Sequence, residues 1–303
     1  MSAECAIVKL KERENYVVGC DIYPKEWHYE TMLCDKFYQA PLATDQEKYI
    51  QFLLNVCQEQ DLNYIIPLTD LEIDVINNNR YLFDECGITL CMQSDKILDI
   101  VRNKYKLYKF FKDDDNVPSI KTCLLTSLDN SIPFPCIAKP YNGRSSEGLI
   151  RNASKKDILT IPDKENYIIQ EQVEGNVFTV DFCRSSTSGV VCAVPRQELL
   201  RTRNGAGLTV KTSSDDNLVM LVSHIGNKLD INGCVNMEFI QNNGKYYLID
   251  INPRFSAGVA FSVMMGYDMI NNHVRCFYGE SIDWQIKIKE RIMIKKYQEI
   301  MIE

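Results

Sequence analysis

Acidic side chains lie among apolar neighbours in the stretch 233–254, which reads GCVNMEFIQNNGKYYLIDINPR. The pattern predicts two strands around a turn, and side-chain alternation puts Asn236 and Glu238 on one face of the first strand. Asp250 and Asn252 share a face of the second strand. Two nearby carboxylates repel each other unless a cation lies between them, and Mg²⁺ combines few protein carboxylates with water and phosphate oxygens. We therefore predict Glu238, Asp250 and Asn252 as magnesium ligands, with a solvent-facing hairpin as the alternative.

The turn between these strands sets their register. A two-residue turn at Asn243 and Gly244 would place Glu238 opposite Ile249 and leave the acids on opposite faces. A three-residue loop with glycine in the left-handed position would instead pair Asn236 with Asp250. Of these two registers, only the second gathers the acids.

A loop that could bind phosphate lies in the stretch 136–150, CIAKPYNGRSSEGLI. Lys139 ends a predicted strand, and the residues after it combine glycine with hydroxyl and guanidinium groups. Glycine lets the backbone approach phosphate closely, and N–H groups and hydroxyls donate to its oxygens. The loop lacks the GK[ST] ending of a P-loop, so a plain surface turn is the alternative. Its candidate residues are Gly143, Arg144, Ser145, Ser146 and Gly148.

Further cations could bind the same phosphates or a substrate. A helix predicted over 94–112 carries Lys104 in its apolar stripe, where the ammonium either reaches water or points at an anionic ligand. Arg254 directly follows the second acidic strand and would put a fixed cation beside a bridging phosphate. The loop 196–207 either contacts a substrate carboxylate through guanidinium forks or is a solvated basic loop. Its arginines are Arg196, Arg201 and Arg203.

Strand and helix patterns alternate over the first part of the chain, which predicts an open parallel sheet wrapped by helices. Such sheets bind ligands beyond the carboxyl ends of their strands, where Asp21 and Asp70 lie, although solvated loop acids are the alternative. From residue 118 onward strands predominate. We therefore expect an α/β (α+β) protein.

The composition excludes several classes of protein. A chain of 303 residues suggests about two domains, and a net charge of −7 argues against a general nucleic-acid binder. No apolar window approaches ~18 residues. The first residues, MSAECAIVKLKERE, match neither a secretory leader nor an anchor, so we expect a cytoplasmic protein with no membrane partner. The twelve cysteines lack CxxC spacing and the three histidines lie far apart, which argues against a zinc site.

Together these segments resemble ATP-grasp enzymes, in particular single-module relatives of the carbamoyl phosphate synthase large subunit. The resemblance also rests on NKYKLYKFF around Lys104, on YIIQEQVEGNVFTVDF at 167–182 and on LIDINPRFSAG at 248–258. It implies an N-terminal Rossmann-like parallel-sheet domain over 1–93, without the usual first strand. An ATP-grasp domain would follow over 94–303, with a small flap subdomain at about 117–173.

The resemblance also implies roles for single residues. Lys104 and Lys139 would hold nucleotide phosphates, and the loop 143–148 would close over them as a flap. Magnesium would bind the three ligands named above, and Arg254 would act near the transferred phosphoryl group, with Lys139 as the second catalytic residue. The segment that reads adenine, largely through its backbone, would be Glu171, Gln172 and Val173.

The activity implied by the resemblance is that of a ligase that uses ATP and magnesium. ATP would phosphorylate the carboxylate of a small acid, such as an amino acid or sugar acid, and an amine would displace the phosphate. Relatives often form dimers, so a homodimer is expected. The alternative is a nucleotide-binding module without turnover, because Val177 stands where relatives carry a ribose-binding acid. A dinucleotide-dependent dehydrogenase would require a glycine fingerprint that the chain lacks.

Overall fold

The computed structural model describes residues 2–128, 131–144 and 146–301, and the N-terminal part combines short parallel strands with helices. The strands form two separate parallel pairs, β1 with β2 and β3 with β4, where the sequence predicted one continuous sheet. The elements in chain order are α1 (Ser2–Lys11), β1 (Val18–Asp21), β2 (Lys36–Gln39), α2 (Gln46–Glu59), β3 (Tyr64–Ile65), α3 (Asp70–Asn77), α4 (Arg80–Glu85) and β4 (Thr89–Leu90).

The helix predicted over 94–112 is wrong as a single element. The chain forms α5 (Asp95–Val101) and α6 (Lys104–Phe111) instead. The break has a local cause, because Asn103 caps α6 by accepting hydrogen bonds from two backbone N–H groups of its first turn, at 3.0 and 3.1 Å. Lys104 is therefore the first residue of a new helix and does not interrupt an apolar stripe.

A four-stranded antiparallel sheet follows, in the order β5-β8-β6-β7. Its elements are β5 (Thr122–Leu124), β6 (Cys136–Pro140), β7 (Ile150–Ala153), α7 (Lys155–Leu159) and β8 (Tyr167–Glu171). The helix begins with a capping box between Ser154 and Asp157. The sheet lies inside the range 117–173, whose separation as a flap subdomain stays a prediction, as do the domain limits 1–93 and 94–303.

The C-terminal part is built on a six-stranded antiparallel sheet in the order β13-β12-β9-β10-β11-β14. Its elements are β9 (Asn176–Arg184), β10 (Val191–Arg201), β11 (Gly207–Thr212), α8 (Asp216–Leu229), β12 (Gly233–Asn242), β13 (Lys245–Asn252), α9 (Val259–Met264), α10 (Met269–Phe277) and β14 (Ile292–Ile294).

The β12–β13 hairpin differs from both registers considered for it. Its turn has two residues, Asn243 and Gly244, both with positive φ, so the three-residue loop is wrong. The two-residue register does not continue along the whole hairpin either, because a bulge shifts the pairing between Phe239 and Glu238. Beyond the bulge Glu238 lies directly opposite Asp250.

One face of the six-stranded sheet is packed, and part of the other face lines a cleft. On β12 the side chains of Val235, Met237 and Phe239 belong to the largest hydrophobic core, together with α8 and helices of the N-terminal part. The intervening residues of the strand, Asn236 and Glu238, line the cleft. This period-two alternation is what positions the acids.

The described cysteines are all free thiols, and most are buried as small apolar side chains, as predicted. Among the helices described here, none has the length and apolar character needed to cross a membrane.

Gly226 in α8 supports the packing of the sheet and provides a test of it. A Cβ at this position would lie 2.3 Å from the Cε1 atom of the buried Phe182 ring. We expect Gly226→Val to lower the free energy of unfolding by about 1–3 kcal/mol through overpacking, measured by urea denaturation. Met220→Val, at an exposed position of the same helix, is the control and should change stability by less than ~0.5 kcal/mol. Equal stability of the two variants would contradict this packing.

Candidate functional site

The cleft has a volume of about 650 Å³ and is lined by residues from all three parts of the chain. The N-terminal part contributes Asp70, the four-stranded sheet contributes Lys139, and the six-stranded sheet contributes the acid pair of Glu238 and Asp250. The volume is within the range of small-molecule sites. The cleft is therefore the candidate functional site.

The two carboxylates of the acid pair are each matched to a cation. Arg201 Nη2 lies 3.1 Å from Glu238 Oε2, and Lys104 Nζ lies 3.2 Å from Asp250 Oδ2. Asn252 lies beside them, with its Nδ2 3.5 Å from Glu238 Oε1. Both acids keep between a fifth and a quarter of their side-chain surface exposed. Their charges are thus balanced by side chains that solvent or a ligand can reach.

The donor set of the acid pair fits magnesium. Two carboxylates and the amide oxygen of Asn252 are hard oxygen ligands, and Mg²⁺ uses only one or two carboxylates beside water and phosphate. Within the described ranges the chain has no group of three or more His, Cys, Asp or Glu side chains arranged to hold a metal. The remaining ligands of a magnesium ion here would be water and phosphate oxygens.

Lys139 ends β6 in the wall of the cleft, where only 8% of its surface is exposed. Burial lowers its pKa from 10.5 to about 8, and the neighbouring Lys104 adds to the shift. The carboxylates of Asp250 and Glu238 oppose the shift. This ammonium is thus poorly solvated, and an anionic ligand would favour its charged form.

Lys104 ties α6 to the loop after β6. Its backbone N–H donates to Tyr141 O at 2.8 Å, and its Nζ donates to Gly143 O at 2.8 Å. Of the predicted phosphate-loop residues, Gly143, Arg144 and Ser146 line the cleft.

Two members of the predicted loop do not add to that lining. Ser145 lies outside the described residues. Gly148, at φ +68°, is not among the lining residues, and a Cβ there would lie 2.7 Å from Tyr167 Oη and 2.9 Å from Pro140 Cγ. Its glycine is therefore explained by the turn and the close packing of its neighbours.

The predicted hinge lies along another wall of the cleft. Glu171, Gln172 and Val173 all line it. The Gln172 amide exchanges two hydrogen bonds with Asn152 on β7, because Oε1 accepts from the Asn152 backbone N–H at 3.0 Å and Nε2 donates to Asn152 Oδ1 at 2.6 Å. The hinge is thereby fixed to the four-stranded sheet.

The sequence patterns did not predict an apolar slot that lies beside the hinge. Its side chains come from both sheets and from the segment before β5, so they converge only in the folded chain. Strand alternation offered a signal, since Ile137 shares a strand face with Lys139, and Ile240 with Glu238. The slot consists of Ile120, Ile137, Val177, Ile240 and Ile249.

Arg254 is held by an acid of the N-terminal part. Its Nη2 donates to Asp70 Oδ2 at 2.9 Å, and Arg102 Nη1 lies 3.3 Å from Asp70 Oδ1 as an ion pair. Burial by itself would raise the pKa of Asp70, but Arg254 and Arg102 hold it below its ordinary value. A capping box between Thr69 and Glu72 begins α3 and fixes Asp70 in its first turn.

The other acid noted at a strand end, Asp21, does not line the cleft. It is exposed, and its Oδ1 accepts from the Tyr23 backbone N–H. Of the two acids noted in the N-terminal part, the structure brings Asp70 alone into the cleft.

The three arginines predicted for substrate contact occupy different environments. Arg196 is buried, donates to Asp181 Oδ2 at 2.7 Å and to Ser256 Oγ at 3.0 Å, and lines the cleft. Arg201 lines the cleft beside Glu238. Arg203 is exposed and is not among the lining residues.

Glu198 is a further cleft residue that the sequence did not single out. It follows Arg196 on the same face of β10, and its Oε1 accepts from Arg196 Nε at 3.3 Å. Its side chain is 3% exposed. Charged side chains are mostly exposed, so the sequence alone did not predict a buried acid at this position.

Two family profiles match the chain. The profile of the ATP-grasp domain matches residues 101–258, more than half of the sequence. The profile of the PylC-like N-terminal domain matches residues 29–91. The first match contains the cations, the hinge and the acid pair that meet in the cleft.

Known proteins with similar sequences or structures agree with these matches. The carbamoyl phosphate synthase arginine-specific large chain of Bacillus subtilis is 21% identical over 303 residues, covering 93% of this chain and 28% of that protein. This chain thus spans little more than a quarter of that relative.

Two solved structures share the fold. The biotin carboxylase domain of 2-oxoglutarate carboxylase from Hydrogenobacter thermophilus, in complex with MgADP, ADP and bicarbonate, has a TM-score of 0.77 at 16% identity, with 93% of this chain and 68% of that chain covered. L-amino acid ligase from Bacillus licheniformis has a TM-score of 0.70 at 14% identity, with 90% and 71% covered. With the profile match over more than half of its residues, the chain belongs to the ATP-grasp family.

Proposed function

We propose that the chain is a ligase that uses ATP and magnesium to activate a small carboxylic acid as an acyl phosphate and couples it to an amine. The observation that carries this proposal is the direct pairing of Glu238 with Asp250 in a cleft also lined by Lys104, Lys139 and Arg254. Two carboxylates surrounded by cations suit a divalent ion and a polyphosphate. Assembly as a homodimer and a cytoplasmic location stay predictions.

The shape and polarity of the cleft support ATP as the nucleotide. The apolar slot offers dispersion contacts to a flat adenine ring, and the backbone of the hinge lies beside it for hydrogen bonds. Lys139 and Lys104 line the cleft with the acid pair, where a triphosphate would meet charges of both signs. The similar biotin carboxylase domain was solved with MgADP, which supports the same ligand class.

Glu238, Asp250 and Asn252 are the residues that would hold magnesium. When bound, the ion would bridge phosphate oxygens and neutralise charge that develops on them during transfer. Lys104 and Arg201 now neutralise the two carboxylates. If magnesium replaced these cations beside the carboxylates, Lys104 and Arg201 would be available to bind the nucleotide or the acid substrate.

The proposed reaction has two steps and requires no protein nucleophile. A carboxylate oxygen of the acid attacks the γ-phosphorus, the bond to the β-phosphate oxygen breaks, and ADP leaves. The amine nitrogen then attacks the acyl carbon, the acyl C–O bond breaks with its electron pair going to phosphate, and the nitrogen loses a proton. The protein contributes positioning and charge stabilisation.

Arg254 is the proposed cation at the transferred phosphoryl group. Asp70 holds its guanidinium at one end, through a 2.9 Å bond from Nη2, and so limits its rotation. Asp70 is in turn shared with Arg102, so one buried carboxylate lies between two guanidinium groups. We therefore propose Asp70 as a positioning residue for Arg254.

A second candidate function is nucleotide binding without turnover. Val177, which lines the cleft beside the hinge, offers no polar group to a ribose. Hydroxylamine separates the two functions, because it converts an acyl phosphate into a stable hydroxamate and releases phosphate. ATP binding with neither ADP nor hydroxamate formed over a panel of carboxylic acids would favour the binding module.

Asp250→Asn tests the proposed magnesium ligands. We expect ADP release in the presence of acid and hydroxylamine to fall by about 100-fold or more, because one anionic ligand is lost, while the thermal unfolding transition stays cooperative. Asp113→Asn removes an acid that is 82% exposed and should retain full activity. Undiminished magnesium-dependent ADP release in Asp250→Asn would contradict the metal assignment.

Lys139→Met tests the phosphate role and the energetic consequence of burying this ammonium. The folded pKa of Lys139 is about 8 and its ordinary value is 10.5. Between these values the unfolded chain binds more protons, so wild-type stability rises with pH through this window. Without nucleotide, the variant should be more stable than wild type at pH 7 by roughly 1–3 kcal/mol, and this gain should vanish as pH rises from 8 to 10.5.

The same variant should bind ATP about 10- to 100-fold more weakly, because a charge-assisted contact to phosphate is lost. Urea denaturation at several pH values and isothermal titration measure the two effects. Lys121→Met, at an exposed position near the same sheet, is the control for both. Unaltered ATP affinity in Lys139→Met would exclude a phosphate contact.

A further inference from the structure

Glu198 presents a carboxylate oxygen without a partner in the wall of the cleft. Its Oε1 accepts from Arg196 Nε, but Oε2 is buried and has no hydrogen-bond partner among the residues described. Leaving a buried carboxylate oxygen unpaired is unfavourable by a few kcal/mol. Oε2 therefore lacks a hydrogen-bond donor within the described part of the chain, and a bound ligand could supply one.

The neighbouring acid, Asp181, is satisfied by contrast. Its Oδ2 accepts from Arg196 Nη1 at 2.7 Å and from Ser262 Oγ at 2.6 Å, and its Oδ1 accepts from Asn236 Nδ2 at 3.3 Å. The single guanidinium of Arg196 is thus divided between two carboxylates. Of these two carboxylates, Glu198 is the one left with an unpaired oxygen.

Another cation near this group is Lys295, whose Nζ donates to Ala257 O at 2.6 Å. Its pKa is lowered by burial and by Arg196, and Glu198 and Asp181 act in the opposite direction. No hydrogen bond joins Lys295 to Glu198 Oε2, since that oxygen has no partner within the described ranges. Lys295 therefore contributes long-range charge without filling the hydrogen-bonding position.

Gly207 lies directly against the Glu198 carboxylate. A Cβ at Gly207 would lie 2.1 Å from Oε2, so this position requires glycine for the acid to lie where it does. Gly207 follows a tight turn in which Thr202 N donates to Ala206 O at 2.8 Å, and Gly205 and Ala206 also line the cleft. Because Oε2 is buried against Gly207, contact with a ligand there would require this turn to move.

The position of Glu198 relative to the acid pair limits the size of a ligand that reaches both. Glu238 pairs with Thr179 on β9, and Thr179 pairs with Arg196 on β10, so two strand spacings of about 5 Å separate Glu238 from Arg196. Glu198 lies two residues, or about 7 Å, further along β10. Arg196 also donates to Ser256, two residues after Arg254. A small molecule could thus touch Glu198 while its carboxylate lies near Arg254.

We propose that Glu198 binds the protonated amino group of the acid substrate, so that the substrate is an amino acid rather than an acid without an amine. This inference rests on the proposed ligase function and specifies its substrate class. An ammonium group would donate the hydrogen bond that Oε2 lacks and would bring a positive charge directly to the carboxylate. With its ammonium group at Glu198, the amino acid would have the carboxylate that is phosphorylated near Arg254.

The experiment measures hydroxamate formation with ATP, magnesium and hydroxylamine. The acids tested are the proteinogenic L-amino acids, each beside the matched acid that lacks the α-amino group. Wild type should use at least one amino acid with a kcat/KM about 10- to 100-fold above that of its matched acid. In Glu198→Gln, which keeps the shape of the side chain, KM for that amino acid should rise about 10- to 100-fold, with kcat and KM for ATP changed much less.

Glu290→Gln is the control, because Glu290 is half-exposed and pairs with Lys211 outside the cleft; its kinetic constants should equal those of wild type. Equal use of amino acids and their matched acids by wild type would overturn the role of Glu198 and leave the ligase function standing. Unchanged KM for the amino acid in Glu198→Gln would do the same. Absence of hydroxamate with every acid would contradict the ligase function and this inference with it.

Discussion

Two carboxylates held face to face across neighbouring strands are the constraint on which the site depends. Glu238 and Asp250 would repel each other at this separation without compensation. Arg201 and Lys104 supply it, each from a different segment of the chain. Lys104 is the first residue of a helix and Arg201 is the last residue of a strand. The acid pair therefore contacts separate parts of the fold within one cleft. The same acids offer oxygen ligands to a divalent ion.

The surrounding charges form a chain that links the N-terminal part to both sheets. Asp70 joins Arg254 and Arg102, and Lys104 donates to the loop after β6. Lys139, buried in the wall, has a depressed pKa because burial disfavours its charged form and Lys104 repels it. The cleft thus holds the Lys139 ammonium in an unfavourable environment that a polyphosphate would relieve. Burial of this ammonium lowers the stability of the free protein and favours the binding of an anionic ligand, a pattern common at functional sites.

Sequence patterns predicted those parts of this site that are local. Strand alternation placed Glu238 and Asp250 correctly on inward faces, and the position of Lys139 at a strand end was also correct. The register was wrong because it depends on a bulge between Glu238 and Phe239, and no residue type there distinguishes a bulge from a regular strand. The break before Lys104 depends on a side-chain cap by Asn103, which competes with an otherwise continuous helical pattern.

Contacts between distant segments were beyond the reach of the sequence. The bond between Asp70 and Arg254, the apolar slot and the burial of Glu198 all result from tertiary packing. The most direct test of the account is a crystal structure with Mn²⁺ and a non-hydrolysable ATP analogue, with anomalous scattering used to locate the metal. We predict an anomalous peak about 2.0–2.3 Å from oxygens of both Glu238 and Asp250, and Lys104 Nζ moved away from Asp250 to the phosphates. An ordered nucleotide with no peak between these carboxylates, and with their bonds to Arg201 and Lys104 intact, would contradict it.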